Sequence, residues 1–285
     1  MHINYWNELN KDRLGQTGLI MIGLLAAAAL GAAWLAPYDP WAYVAPSLSP
    51  PSAAHPLGTN DVGQDILSEL LYGARTTLMI GLSVAAAATL LSLLLGVAAG
   101  LFRGAAERVI LRLVDVILVI PVFLVAILVA SYMRPGALTL VILLSLLLWP
   151  PGARIIRSQV VSLKNQEHFT AARQFGAGTG YLVRHHLIPE LYPLLAVNFI
   201  QVVRRAVFME AGLAFLGVFA PAQKSWGLMI HYAREFVFAG AWQWWLLPPA
   251  LAVSFTIIAF ALVGHSLETA LDPRLRRHKH PHVAD

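Results

Sequence analysis

The stretch "FTAARQFGAG", from Phe169 to Gly178, lies in the most highly charged break between the apolar stretches of this chain. Ala171 and Ala172 would give a short helix one thin face that fits into a groove. Gly176 and Gly178 permit a sharp turn after that helix, because glycine adopts backbone angles that are unfavourable for bulkier residues. The pattern predicts a small helix in water between two membrane spans.

The residues before this stretch contain the signals of a helix start. Asn165 is placed to cap the helix, and Glu167 lies near its positive end. The surrounding segment, residues 154–192, is long for a turn and short for a domain. It is either a docking element for another protein or a helical connection, and the spacing alone does not decide between them.

The composition identifies a membrane protein. Of 285 residues, 58% are hydrophobic and 12% are charged, and the mean hydropathy is +0.66, so most of the chain must contact lipid. Cysteine is absent, which excludes disulfides and thiolate metal sites. The net charge of +5 does not indicate a nucleic-acid partner here, because the basic residues flank apolar stretches and orient them in the membrane.

Apolar stretches long enough, or nearly so, to cross a bilayer predict an all-α membrane protein with six spans. The first could instead be a cleavable signal peptide, but "WLAPYDP" contains Pro37 and Asp39 where a small-residue cleavage site is needed. We therefore interpret it as a span. The predicted spans are 17–36, 77–101, 113–133, 137–153, 193–219 and 245–265.

With the first span, four further regions make up the chain. The expected regions are a leader (1–16), a proline-rich external loop (37–76), a transmembrane core (77–270) that includes the cytoplasmic loop 154–192, and a tail (271–285).

Lysine and arginine predict the orientation, since positive charges near the ends of spans resist translocation. With the amino terminus in the cytoplasm, the inner segments hold most of the 20 basic residues. Both termini are therefore expected on the cytoplasmic side. The inner basic residues are Lys11, Arg13, Arg103, Arg108, Arg112, Arg154, Arg157, Lys164, Arg173, Arg184, Arg274, Arg276, Arg277 and Lys279.

Catalytic motifs are scarce. The chain has no glycine-rich loop ending in Gly-Lys-Ser/Thr to hold nucleotide phosphate and no His-Glu-x-x-His helix. A paired-aspartate protease would need two acids at membrane depth, whereas Asp115 stands alone near the start of the third predicted span. His278, His280 and His282 near the end are better explained as a solvated tail than as metal ligands. We expect neither enzymatic activity nor a bound cofactor or metal.

Several motifs together carry a family resemblance that covers about residues 13 to 274. "FTAARQFGAG" followed by "HHLIPELYPLL" resembles the cytoplasmic loop of binding-protein-dependent ABC importer permeases. Further segments are similar to the second permease of dipeptide, oligopeptide and nickel importers. These segments are "HPLGTNDVGQDILSELLYGART" (55–76), "RLVDVILVIP" (112–121), "MEAGLAFLGVFAP" (209–221), "SWGLMIHYAR" (225–234) and "LDPRL" (271–275).

The resemblance implies the six-helix type I importer permease fold in a bacterial inner membrane. It also implies three kinds of partner: a homologous second permease, two ATPase subunits, and an extracytoplasmic substrate-binding protein. ATP and Mg would be bound by the ATPases and not by this chain. A membrane scaffold or receptor that does not transport is the alternative from another class.

The resemblance further implies that residues 165–190 couple the permease to an ATPase. The family usually has a glutamate before the two alanines where this chain has Thr170, and Glu167, three residues earlier on the same helix face, could replace it. The expected coupling residues are Glu167, Phe169, Thr170, Ala171, Ala172, Arg173, Gly176 and Pro189.

Two further departures concern charged residues. His265 and Glu268 stand where relatives usually have an acid and a base, which is explained more simply by a relaxed salt-bridge pattern than by a substrate role. Arg204 and Arg205 lie inside the fifth predicted span, where a charge costs at least about 2.5 kcal/mol. They either line the translocation pathway, with Glu210 as a further candidate, or pair with the partner permease.

The cargo is the least determined feature. Peptides are the first expectation and nickel or a metal chelate is the alternative, since the resemblance covers importers of both kinds and cargo selectivity in the family rests largely with the binding protein.

Overall fold

The computed structural model describes residues 12–102, 104–133, 135–219 and 223–271. Within these ranges the chain forms helices and no β-strand, which confirms the predicted all-α class. The helices are α1 (Arg13–Leu30), α2 (Ala32–Leu35), α3 (Ile66–Leu101), α4 (Ala105–Val119), α5 (Val122–Met133), α6 (Ala137–Leu148), α7 (Pro150–Leu163), α8 (Glu167–Gln174), α9 (Thr179–Leu182), α10 (Ile188–Phe215), α11 (Trp226–Ala233) and α12 (Leu247–Leu271).

Four helical stretches of the described chain are long and apolar enough to cross a membrane: Arg13–Leu30, Ile66–Leu101, Thr179–Phe215 and Trp242–Ala270. The third consists of α9, a π-helical segment Val183–Leu187, and α10. The fourth begins with the π-helical segment Trp242–Leu246, which leads into α12. If the bent pairs α4–α5 and α6–α7 each count as one span, the total is six.

α3 begins before its predicted first residue, 77. Asp65 caps the helix by accepting hydrogen bonds from the backbone N–H of Ser68 and from its hydroxyl, both at 2.8 Å. Glu69 in the first turn complements the positive helix end. The predicted external loop therefore gives way to helix after Asp65, because capping and distant polar contacts stabilise turns that hydropathy alone does not identify.

The third and fourth predicted spans are both broken. α4 and α5 are bent by 84° at Pro121, and α6 and α7 by 45° at Pro150 and Pro151. Proline lacks the N–H that would continue the helical hydrogen bonds. Before Pro121 the backbone of Ile120 is also extended, whereas Trp149 before Pro150 keeps helical angles, and the bend there is smaller. α5 and α6 have 12 residues each, about 18 Å of helix, so neither crosses a hydrocarbon core of about 30 Å alone.

The bend between α6 and α7 is joined to the rest of the bundle by polar side chains. Ser92 of α3 donates a hydrogen bond to the Trp149 carbonyl oxygen at 2.7 Å. Asn198 of α10 donates to the Thr89 hydroxyl at 3.1 Å. These bonds satisfy polar groups that would be costly to leave unpaired in a membrane interior.

α4 is held against α7 by ion pairs. Arg157 Nε donates to Glu107 Oε1 at 3.0 Å, and Arg154 pairs with Asp115. Asp115, which stands alone in the sequence, is therefore paired across 39 positions of the chain. The ion pair explains the isolated acid: Asp115 joins α4 to α7.

The segment that leads into α3 packs on the loop before α11. Lys224 Nζ donates to Gln64 Oε1 at 2.7 Å and pairs with Glu69, which also accepts from Asn60 at 3.2 Å. Burial raises the pKa of Asp61 above its usual value, and the charge of Lys224 opposes that effect. The network connects the loop before α11 to the start of α3.

Glycines allow α3 to approach two neighbouring helices closely. A Cβ at Gly81 would lie 2.7 Å from Val207 of α10, and a Cβ at Gly100 would lie 2.6 Å from Val160 of α7. Small residues permit such contacts between membrane helices, where packing contributes much of the association energy. α3 is the helix on which α7 and α10 meet.

We expect Gly100→Leu to lower the stability of the chain by about 1–3 kcal/mol, because the new side chain overpacks the contact with α7. Gly23→Leu is the matched control: Gly23 is also helical, and no atom lies within 4 Å of its added Cβ. Thermal unfolding of both variants in detergent measures the difference. Equal unfolding temperatures for the two variants would contradict close α3–α7 packing.

Candidate functional site

One buried aromatic side chain anchors α8 to the bundle. Phe169 is only 3% exposed and packs in a cluster contributed by α3, α7, α8, α9, α10 and the π-helical segment. The Phe169 cluster consists of Val97, Ile156, Val160, Leu163, Phe169, Leu182, Leu187 and Leu191. The sequence predicted Phe169 as a coupling residue, but its side chain faces the permease itself, so it positions α8 from behind.

The start of α8 differs from the prediction. The capping residue is Gln166 rather than Asn165, and its side chain makes no capping hydrogen bond. Instead the Thr170 hydroxyl donates to the Gln166 carbonyl oxygen at 3.2 Å. Glu167 lies in the first turn, as predicted. Thr170 thus makes a bond within its own helix that an ionised glutamate, which lacks a donor, would not make.

The two glycines after α8 have different roles. Gly176 has φ of +84°, and the Ala177 N–H donates to the Ala172 carbonyl oxygen at 3.1 Å, which together form the Schellman motif that ends many helices. Gly178 has φ of −69° and ψ of 159°, an extended conformation open to any residue. Only Gly176 has the unusual conformation that the sequence predicted for both.

The remaining coupling candidates form the outward face of α8. Thr170, Ala171 and Arg173 are exposed, whereas Ala172 is half-buried against the Phe169 cluster. Phe175 follows with 91% of its surface exposed, and it lines an open groove beside the helix end. Aromatic residues are enriched at protein interfaces, so Phe175 is a candidate contact residue at the helix end.

A histidine connects α8 to the start of α10. His168 Nε2 lies 2.9 Å from Glu190 Oε1, and the His168 ring stacks on His186 with a centroid separation of 5.8 Å. Pro189, another predicted coupling residue, is exposed next to Glu190. The helix is therefore connected to α10 by both apolar and polar contacts.

The three charged pathway candidates lie in different surroundings. Glu210 is 0% exposed, and among the described residues its carboxylate oxygens have no hydrogen-bond partner, although the hydroxyls of Thr77 and Ser225 face it. It lies in the packed core between α10, α3 and the start of α11. Glu210 therefore does not face an open space with the arginines.

Arg205 lines a cavity of about 270 Å³ between the α6–α7 bend, α10 and α12. Asn198 and Gln201 of α10 and Glu268 of α12 line the same cavity. Gln201 Nε2 donates to Glu268 Oε1 at 2.5 Å, which connects α10 to α12. Arg204 does not line the cavity, and neither arginine forms a salt bridge within the described part of the chain.

Two of these polar residues were missed in the sequence. Asn198, Gln201 and Arg205 are separated by three and four positions, which places them on one face of a helix. This polar stripe inside an apolar span was a readable signal. Glu268 was noticed only as a departure from the family pattern, because its partner Gln201 is 67 positions away.

Within the described ranges, no group of three or more histidine, aspartate or glutamate side chains could hold a metal ion. The histidines of residues 278–282 lie outside the described residues.

The family description "Binding-protein-dependent transport system inner membrane component" matches residues 92–277, and "N-terminal TM domain of oligopeptide transport permease C" matches residues 4–56. The chain belongs to the family of binding-protein-dependent inner-membrane transport permeases. It is thus a transport subunit of the inner membrane and not an enzyme.

Similar proteins cover nearly the whole chain. The dipeptide transport system permease protein DppC of Bacillus subtilis is 35% identical over 95% of this chain and 85% of its own length. The di/tripeptide permease DppC of Pseudomonas aeruginosa is 34% identical, covering 95% and 92%. The oligopeptide permease OppC of Bacillus subtilis is 33% identical, covering 96% and 92%.

We expect Gly176→Val to loosen the end of α8, because a β-branched residue is strained at positive φ. The matched control is Gly178→Val, since neither glycine has an atom within 4 Å of an added Cβ. Hydrogen–deuterium exchange of residues 165–187 should be about tenfold faster in the first variant, the change expected for strain of about 1–2 kcal/mol. Equal exchange in both variants would argue against the strained turn.

Proposed function

We propose that the chain is one of two homologous permease subunits of a bacterial importer of di- and oligopeptides. The observation that carries this proposal is its similarity, over about its full length, to permeases named for dipeptides, di/tripeptides and oligopeptides. Peptide would arrive from an extracytoplasmic binding protein and pass between the two permeases. Two ATPase subunits, with ATP and Mg, would supply the energy.

α8 is the element that we assign to ATPase coupling. It presents Thr170, Ala171 and Arg173 outward while Phe169 fixes it from behind. Ala171 leaves room for a close approach of the partner, and Phe175 at the helix end adds apolar contact area. When the ATPases close and reopen, movement of α8 would be transmitted to α10 through the Phe169 cluster and the His168–Glu190 contact.

We further propose six spans with both termini in the cytoplasm, each bent pair forming one span. The excess of lysine and arginine in the inner segments supports this orientation. In this topology the turn at Gly136 between α5 and α6 faces outward and α8 faces the cytoplasm. Arg205, and not Arg204, is the arginine that we assign to the translocation pathway, because it lines the cavity beside α10.

Ala171→Arg should weaken ATPase binding, because a long charged side chain would overpack a partly desolvated contact, at a cost of a few kcal/mol. Ala106→Arg is the matched control, an exposed alanine of α4 that changes in the same way. The measurement is co-purification of the ATPases with the permease pair. It is followed by ATP hydrolysis in liposomes with and without loaded binding protein.

We expect Ala171→Arg to lose retention of the ATPases or their stimulation, and Ala106→Arg to keep both. Full retention and stimulation in Ala171→Arg would exclude α8 as the coupling helix. If the wild-type complex binds ATPases but never moves peptide, the importer proposal fails and a scaffold or receptor becomes the better interpretation.

Single cysteines test the topology, because the natural chain contains none. A membrane-impermeant maleimide added outside intact cells should label Ala53→Cys and Gly136→Cys, whereas Gly178→Cys should react only after the membrane is opened. If Gly136→Cys stays unlabelled from outside while Ala53→Cys reacts, α5 and α6 form a re-entrant hairpin and six spans are excluded.

A further inference from the structure

The cavity beside Arg205 contains charged and amide side chains, which an ordinary packing defect between membrane helices would not contain. It holds one cationic group, Arg205, one anionic group, Glu268, and two amides, Asn198 and Gln201, in a wall that is otherwise mainly apolar. Charges at membrane depth are costly and usually face a pathway or a partner. The cavity therefore has both charge signs and amide hydrogen-bonding groups in one place.

Arg205 is available to a ligand in this arrangement. It is exposed and has no salt-bridge partner within the described residues, whereas Glu268 already accepts a hydrogen bond from Gln201 at 2.5 Å. A carboxylate can accept several hydrogen bonds, so Glu268 retains capacity for an ammonium donor. The planar guanidinium of Arg205 suits a carboxylate, which it can bind with two parallel hydrogen bonds.

We propose that this cavity is a transit site for the charged ends of a peptide. Arg205 receives the terminal carboxylate and Glu268 the terminal ammonium group. The inference rests on the proposed importer function and names the part of the substrate that this permease contacts. Asn198 and Gln201 provide the donors and acceptors that a peptide bond between the two ends requires.

The spacing fits a short peptide. Arg205 lies four residues beyond Gln201 on α10, a rise of about 6 Å, and Gln201 is bonded to Glu268. Two extended residues span about 7 Å at most. The backbone positions of Arg205 and of Gln201, the partner of Glu268, are therefore separated along α10 by about the length of a dipeptide.

The same spacing gives the peptide a direction. In the proposed topology α10 runs from the cytoplasm outward, so Glu268 is the inner group and Arg205 the outer one. An imported peptide would pass with its amino end leading. Binding must also be weak enough for release, and the bond from Gln201 to Glu268 provides a competing partner that remains when the peptide leaves.

The apolar walls explain why the site is not restricted to one peptide. Part of the cavity wall consists of side chains without hydrogen-bonding groups, those of Leu194, Val197 and Ile156. Side chains of the cargo would contact this wall non-specifically, since apolar contacts discriminate weakly between residues of similar size. Recognition would depend on the two charged ends and the peptide bond, which are common to all free dipeptides.

Arg205→Gln and Glu268→Gln test the inference in liposomes that contain the complete transporter with loaded binding protein. The probes are a free dipeptide, its carboxyl-amidated form and its amino-acetylated form, each first shown to bind the binding protein. Arg204→Gln is the matched control, because it removes the same charge from the adjacent position outside the cavity. The quantity measured is peptide transported per ATP hydrolysed, together with retention of the partner subunits.

We expect Arg205→Gln to reduce transport of the free dipeptide per ATP about tenfold, the size of one lost charged hydrogen bond. It should leave the amidated peptide unchanged. Glu268→Gln should reduce transport of peptides with a free amino end and spare the acetylated one. Arg204→Gln should transport all probes as the wild type does.

Equal effects of Arg205→Gln on free and amidated peptides would overturn the assignment of the carboxylate. Loss of subunit retention without a change in peptide preference would also overturn it, in favour of pairing with the second permease. These outcomes are distinct from failure of the importer proposal, in which wild-type liposomes show no ATP-driven uptake of any probe.

Discussion

Close packing of small residues on α3 is the contact on which the rest of the bundle depends. Gly100 brings α7 against one end of α3, and Gly81 brings α10 against its middle. Lipid tails are as apolar as leucine side chains, so membrane helices associate largely through packing of this kind and through polar contacts. Since α7 and α10 flank α8 in the chain, the same packing determines where both ends of the proposed coupling segment lie.

The contacts around α8 connect its exposed face to the long apolar helices of the bundle. Phe169 inserts between α7 and α10, His168 contacts Glu190, and Gln201 further along α10 contacts Glu268 of α12. A displacement of α8 can therefore be transmitted to α10 and α12 through a continuous set of packed and hydrogen-bonded contacts. Such continuity is a physical precondition for coupling between α8 and the long helices.

The fold and the family were largely readable from the sequence, whereas the site was readable only in part. Hydropathy identified the apolar stretches, and the glycine that ends α8 was identified because the requirement for positive φ is local. The second predicted span begins later than α3, the helix that contains it, because Asp65, Asn60 and Lys224 stabilise helical turns that hydropathy does not identify. The 84° bend between α4 and α5 was not predicted either. Pro121 in the sequence indicates that the helix is interrupted there, but it does not indicate the angle between the two parts.

The sequence by itself determined that this protein is helical, lies in the membrane and belongs to a transport family. The length of an apolar stretch and the identity of a motif depend only on residues that are neighbours in the chain, so both can be read without the structure. Only the tertiary structure decided which of two similar residues has which environment. Phe169 is buried and Phe175 exposed, although both are aromatic and six positions apart. Arg205 lines a cavity while Glu210 is enclosed in the core. The reason is physical: burial and charge pairing are set by side chains from other helices, whose positions follow from the packing of the whole bundle.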